Sequence, residues 1–179
     1  MASTFQLHVL RLHWRDLGTP YTMKHLWPQL ANADLHQAAF VFAASDIDTY
    51  DWKHQEMWLT PDATKRLGRT AADSLVRNAL GQAFVVTLDG QRLYGGLFYS
   101  EGGAAAIRFP VIHALGEPVA LLRIRPRLGP RSASDDSDVT EHARAIANPA
   151  LEHSLSRDGL IRSVPLAERP SDPWAREPD

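Results

Sequence analysis

The sequence predicts an α+β protein: a small antiparallel sheet built around a β-hairpin, with a helix packed on one face and a partly helical, partly disordered C-terminal extension. Three observations predict it. Phe84-Val85-Val86-Thr87-Leu88 is a near-continuous apolar run, as a strand covered on both faces requires. It ends in Asp89-Gly90, a dipeptide favoured where both central residues of a tight hairpin need positive φ. Ahead of it, Thr60 is an N-cap type, Pro61 suits the first helical position and Asp62 complements the positive end of the helix dipole. Ala63, Leu67, Ala71, Leu75 and Ala79 then recur every four residues as one apolar stripe, with Gly81 as the stop. From Gly129 the composition changes to Gly-Pro-Arg-Ser-Ala-Ser-Asp-Asp-Ser-Asp, which is a linker by type.

The remaining elements follow in chain order. Residues 5–14 read as a strand in which Phe5, Leu7 and Val9 alternate before Leu10, Leu12 and Trp14 take the opposite phase, and a bulge at Val9–Leu10 accounts for the switch. Thr22 caps a short helix carrying Met23, Leu26, Trp27 and Leu30, with Pro28 in its first turn or bending it. Ser45 caps a single helical turn through Asp48, followed by short strands at 50–52 and 56–59. The hairpin returns along 92–99, where Gly95-Gly96 permits a bulge or a close backbone approach. Gly102-Gly103 turns the chain into a strand at 105–109, and 118–125 reads as the last strand. Two short helices at 140–147 and 149–156 precede a proline-bearing tail at 169–179. The domain organisation is therefore an α+β domain at 1–128 and an extension of linker, short helices and mobile acidic tail at 129–179.

Charge and composition narrow the function classes. Residues 1–128 carry 13 basic and 11 acidic side chains, and residues 129–179 carry 6 and 10, so no part has the basic surplus of a nucleic-acid binder. The absence of cysteine excludes disulfides, thiolate metal sites and cysteine nucleophiles. No apolar run approaches the ~20 residues a spanning helix needs, and the N-terminus lacks a basic n-region. A cytoplasmic protein without membrane insertion is the expectation.

Leu59-Thr60, Ala63 and the run Phe84-Val85-Val86-Thr87-Leu88-Asp89-Gly90 give residues 59–99 an order of strand, helix and hairpin. This order resembles the first extracytoplasmic domain of the SecD/SecDF translocation accessory proteins. The resemblance implies a helix packed on an antiparallel sheet and brings no catalytic residues. Those proteins are anchored by membrane helices, so their translocase role does not carry over.

Four constellations bear on chemistry. Asp46, Asp48, Asp51 and His54 form the densest set of metal-ligand types, with oxygen donors at alternating positions suited to Ca²⁺ or Mg²⁺. The set lacks the glycine and terminal glutamate of an EF-hand, and on a helical turn Asp46 and Asp48 diverge by ~200°. Capping and a solvated acidic edge account for the same residues. The eight histidines form no H-E-x-x-H pair, and Ser100 lies in no G-x-S-x-G elbow. Arg123, Arg125 and Arg127 fall on one strand face at period two, with Arg108 on a neighbouring strand, an arrangement suited to carboxylates or phosphates. An edge strand guarded by charge, with Pro126 at its end, explains them more simply. Trp52 and Trp58 flank a short hairpin and supply a candidate partner-binding face.

The reading that follows is a non-catalytic protein-binding module without a cofactor, contacting its partner through a sheet edge or the aromatic face at Trp52 and Trp58. Two alternatives stand beside it. One is a small hydrolase or lyase using Asp51 and His54, with or without a metal. The other is a binder of a small anionic ligand through Arg108, Arg123 and Arg125.

Overall fold

The computed structural model describes residues 4–18, 22–72, 81–99, 107–116, 118–127 and 136–168. Strands β1 (Phe5–His13), β2 (Ala38–Ala43), β3 (Ile47–Asp51), β4 (Glu56–Leu59), β5 (Gln82–Leu88), β6 (Gln91–Tyr99), β7 (Val111–Leu115) and β8 (Leu121–Arg125) form one curled sheet. Its order is β2-β1-β5-β6-β7-β8-β4-β3. Neighbours are antiparallel except β6 and β7, which run parallel. The α+β class stands, but the sheet is larger than expected and mixed rather than wholly antiparallel.

Among the described residues four α-helices accompany it: α1 (Met23–Asn32), α2 (Pro61–Ala72), α3 (Asp136–Ile146) and α4 (Pro149–Arg157). Both faces of the sheet are covered, which explains the apolar phase change in β1. Phe5, Leu7 and Val9 enter one core with Phe84, Val86 and Ile112, whereas Leu10 joins Val85, Leu97 and Val111 in a second core beneath Leu26 and Leu30 of α1. Alternation is kept, and each face has its own apolar cover. The register does slip between Val9 and Leu10, where β2 contributes the additional residue Ala39.

The Thr60 cap is formed as expected, with Thr60 Oγ1 accepting the Ala63 N–H at 3.2 Å, and Ala63 and Leu67 enter the first core. The rest of that stripe, at Leu75 and Ala79, lies outside the described residues, as do Gly102-Gly103, the linker at 129–135 and the tail at 169–179. Asp89 and Gly90 both have positive φ, 52° and 79°, as the hairpin turn demands. At Gly96 an added Cβ would collide with the Pro110 carbonyl, and at Gly95 it would stand 2.6 Å from the Phe84 oxygen and 3.1 Å from Leu30. The glycine doublet therefore serves close approach, to the residue entering β7 and to α1.

Several boundaries differ from expectation. The turn before β3 is a 3-10 turn at Ala44–Asp46, with Asp46 Oδ2 accepting the Ala43 N–H at 2.9 Å, so the cap works from the turn's third residue and not from Ser45. Of the strand expected at 105–109, residues 105–106 lie outside the described residues and 107–109 hold a bridge at Ile107, while the strand β7 begins after Pro110. Helix α3 starts at Asp136, before Thr140. The last strand is not an edge strand, since β8 lies between β7 and β4.

Helices α3 and α4 bury Ile146, Leu151 and Leu155 in the same core as β1 and β5. Asn148 caps α4 by accepting from the Ala150 N–H at 2.9 Å, a contact of the kind worth ~1 kcal/mol. No helix among the described residues is long and apolar enough to cross a membrane.

Candidate functional site

A sheet that does not close has two margins, and the chain treats them differently. At the β3 margin, residues 160–164 run alongside: Tyr50 N donates to the Leu160 carbonyl at 2.8 Å, Arg162 N donates to the Tyr50 carbonyl at 3.1 Å, and Tyr50 bridges Ile161 in parallel. The C-terminal half of that margin, at Tyr50 and Asp51, is thus covered by the chain itself.

At the other margin β2 has a strand neighbour, β1, on one side only among the described residues. Its sequence, Ala-Ala-Phe-Val-Phe-Ala, contains no charge and no proline. The bulge at Ala39 is confined to its start, and residues 40–43 pair regularly with β1. Phe42 is fully buried while its neighbours along the strand are half-buried. The Phe40 and Phe42 rings lie 4.4 Å apart, and the Arg66 guanidinium sits over Phe40 at 5.4 Å while pairing with Asp46.

The opposite half of the sheet carries a row of ionisable side chains. Register aligns His113, Arg123, Glu56 and Asp51 across β7, β8, β4 and β3, and all four are buried, at 2%, 8%, 1% and 1% exposure. Arg123 Nε and Nη2 donate to one Glu56 oxygen at 2.9 and 2.7 Å. Asp51 Oδ1 accepts the His54 N–H at 3.2 Å and lies 3.0 Å from His54 Nδ1, and its Oδ2 accepts the Val164 N–H at 3.1 Å. Burial pushes the Asp51 carboxyl up, but hydrogen bonds from Val164 and His54 outweigh it and hold the group below its ordinary range. Asp51 thus fixes the orientation of the partly exposed His54 ring, as a carboxylate does beside a general base. It also closes the turn after β3 and pins residue 164.

The structure places the remaining candidate residues apart. Asp46 is engaged by Arg66 and Ala43, and exposed Asp48 accepts the Thr49 hydroxyl at 3.1 Å. No group of three or more potential ligands that could hold a metal ion occurs among the described residues. Arg123 is committed to Glu56, Arg125 and Arg127 are half-buried, and Arg108 is exposed beyond the Ile107 bridge. Trp52 and Trp58 point to different sides. Trp52 stacks at 5.7 Å on Tyr50 and joins the first core, whereas Trp58 stands in register with Thr49 and Leu121. His8 is buried with Nε2 3.3 Å from Thr87 Oγ1, and burial, then the nearby Arg92 and His36, lowers its pKa.

Sequence reasoning overlooked β2. Its signal was present, two phenylalanines alternating with small and β-branched residues, but three alanines in six positions weakened it. Comparison with protein-family models, with curated proteins and with solved structures finds no match to this chain.

Proposed function

We propose that this protein is a non-catalytic interaction module that takes an extended segment of a partner protein as an additional strand along β2. The observation that carries the reading is the contrast between the margins: β3 is covered by the chain's own residues 160–164, and β2 ends the sheet uncharged. Monomeric sheets commonly guard such an edge with charge, proline or a bulge. Here the bulge at Ala39 guards only the beginning. In strand addition the backbone supplies affinity and alternate side chains supply selectivity. Phe40 on one face and Val41 on the other favour a partner strand whose apolar residues alternate to match.

The test is capture of partners by the full chain, followed by amide hydrogen exchange on the complex. Exchange at residues 40–43 should slow on binding, and Val41→Lys, which places a charge on the edge, should abolish capture. Partner binding that leaves these amides unprotected and tolerates Val41→Lys would overturn the reading. Self-association lost in Val41→Lys would replace the foreign segment with a second copy of this chain.

A second reading rests on the Asp51–His54 pair, whose 3.0 Å contact and exposed imidazole suit a general base in a small hydrolase or lyase. Ester hydrolysis that disappears in His54→Ala would favour it. The anion-binding alternative has less support, because Arg123 already faces Glu56.

A further inference from the structure

We infer that His8 makes the corner where β1, β2 and the end of α1 meet an acid-sensitive device, closed while the imidazole is neutral and opened when it takes up a proton. The device needs no partner at β2 and is independent of the strand-addition reading.

His8 is 6% exposed and stands in β1 opposite Val41 of β2 and Val85 of β5. Its Nε2 lies 3.3 Å from Thr87 Oγ1, and the Thr87 hydroxyl in turn donates to the Gln6 carbonyl at 3.5 Å. With the hydroxyl proton directed at Gln6, Oγ1 is left to accept, so the neutral ring carries its proton on Nε2. Nδ1 is buried and has no hydrogen-bond partner among the described residues. An imidazolium would carry a second N–H at that atom, buried and with no acceptor among the same residues, which is the costly state for a polar group.

The surroundings add to that cost. Arg92 of β6 and His36 of the 3-10 turn Leu35–Gln37 are the groups whose charge acts on the ring, and both oppose a further proton. Asp34, which caps that turn, accepts from the His36 N–H and the Gln37 side-chain amide, each at 3.0 Å. Arg92 cannot step aside without loss: its Nη1 and Nη2 donate to the Leu30 and Ala33 carbonyls at 2.5 and 2.6 Å, at the end of α1 where a helix lacks donors of its own. The end of α1, the 3-10 turn and β2 are consecutive in the chain, so freeing Arg92 loosens the path into β2. Burial first, then Arg92 and His36, hold the His8 pKa below its ordinary 6.5. The folded ring therefore binds a proton less readily than the unfolded one. Stability is complete above 6.5 and is lost as the pH falls from there through the folded value.

Amide hydrogen exchange of the full chain at about pH 7.5 and about pH 5, corrected for the intrinsic rate at each, tests the assignment. Protection at residues 33–43 should fall about tenfold or more relative to residues 112–114 of β7, as a pKa lowered by one unit predicts. His8→Gln should abolish that extra loss, and His36→Asn should retain it. The same loss in His8→Gln, or its disappearance in His36→Asn alone, would overturn the inference. If His8→Gln fails to fold, the wild-type ring is followed by NMR across the same pH range. His8 should remain neutral at about pH 6, below the ordinary midpoint of an imidazole. A His8 ring that titrates at the ordinary ~6.5 while residues 33–43 stay protected would equally overturn it.

Discussion

Two buried carboxylates in neighbouring strands are held by different means, and they should respond differently to mutation. Glu56 is balanced by the Arg123 guanidinium at 2.7 Å. Arg123→Met leaves that carboxylate buried without this guanidinium and is expected to cost ~3–5 kcal/mol, whereas Glu56→Leu with Arg123→Met should recover most of the loss. Urea titrations of the two variants measure the difference. Asp51 is held by backbone and imidazole donors, and its folded pKa lies below the ordinary value of 3.8. Such a group contributes stability above that value and loses it as the pH falls through the folded pKa. Asp51→Asn should therefore be less stable at neutral pH, and its stability should fall less steeply on acidification. Denaturation midpoints at neutral pH and in the acid range check this.

Among the elements, legibility followed how local the determining interaction is. The Thr60 cap, the Asp89-Gly90 turn and the apolar β5 run are specified within a few residues, and each forms as its sequence predicts. The position of β8 was not legible: three arginines at period two imitate a guarded edge, whereas β8 pairs with β7 on one side and β4 on the other, and Arg123 meets Glu56, 67 positions away. The site was legible in the same measure. Asp51 and His54 meet because they share one turn, while Trp52 and Trp58 separate because strand parity sends them to opposite faces. Gly96 gives an element-level test. Gly96→Ala places a methyl group against the Pro110 carbonyl where β6 meets β7, and should cost ~1–3 kcal/mol or more by overpacking. Gly90→Asn, at a position with nothing within 4 Å of an added Cβ, should be nearly neutral. Thermal unfolding of both variants separates steric approach from simple turn preference.

For the whole molecule, the change in composition at residue 129 does not mark the end of the core. Ile146, Leu151 and Leu155 are each buried to 1% exposure or less, and removing three such side chains costs several kcal/mol, comparable with the total stability of a domain, ~5–15 kcal/mol. A fragment comprising residues 1–128 is expected to lose cooperative unfolding, monitored by near-ultraviolet circular dichroism and urea titration. Retention of a sharp transition at the full-length midpoint would show that α3 and α4 are dispensable.

The strap along β3 also sets an order of events. Tyr50 and Asp51 are synthesised more than a hundred residues before the groups that cover them, at Leu160 and Val164. Until then the nascent sheet has two open margins, and closing a loop of that length slows folding relative to local pairing. During synthesis β3 is thus open to pairing by other strands. The chain protects β3 only once residues 160–164 have been made, so the exposure of β3 is a property of the young polypeptide, whereas β2 keeps β1 as its strand neighbour on one side only among the described residues of the folded one.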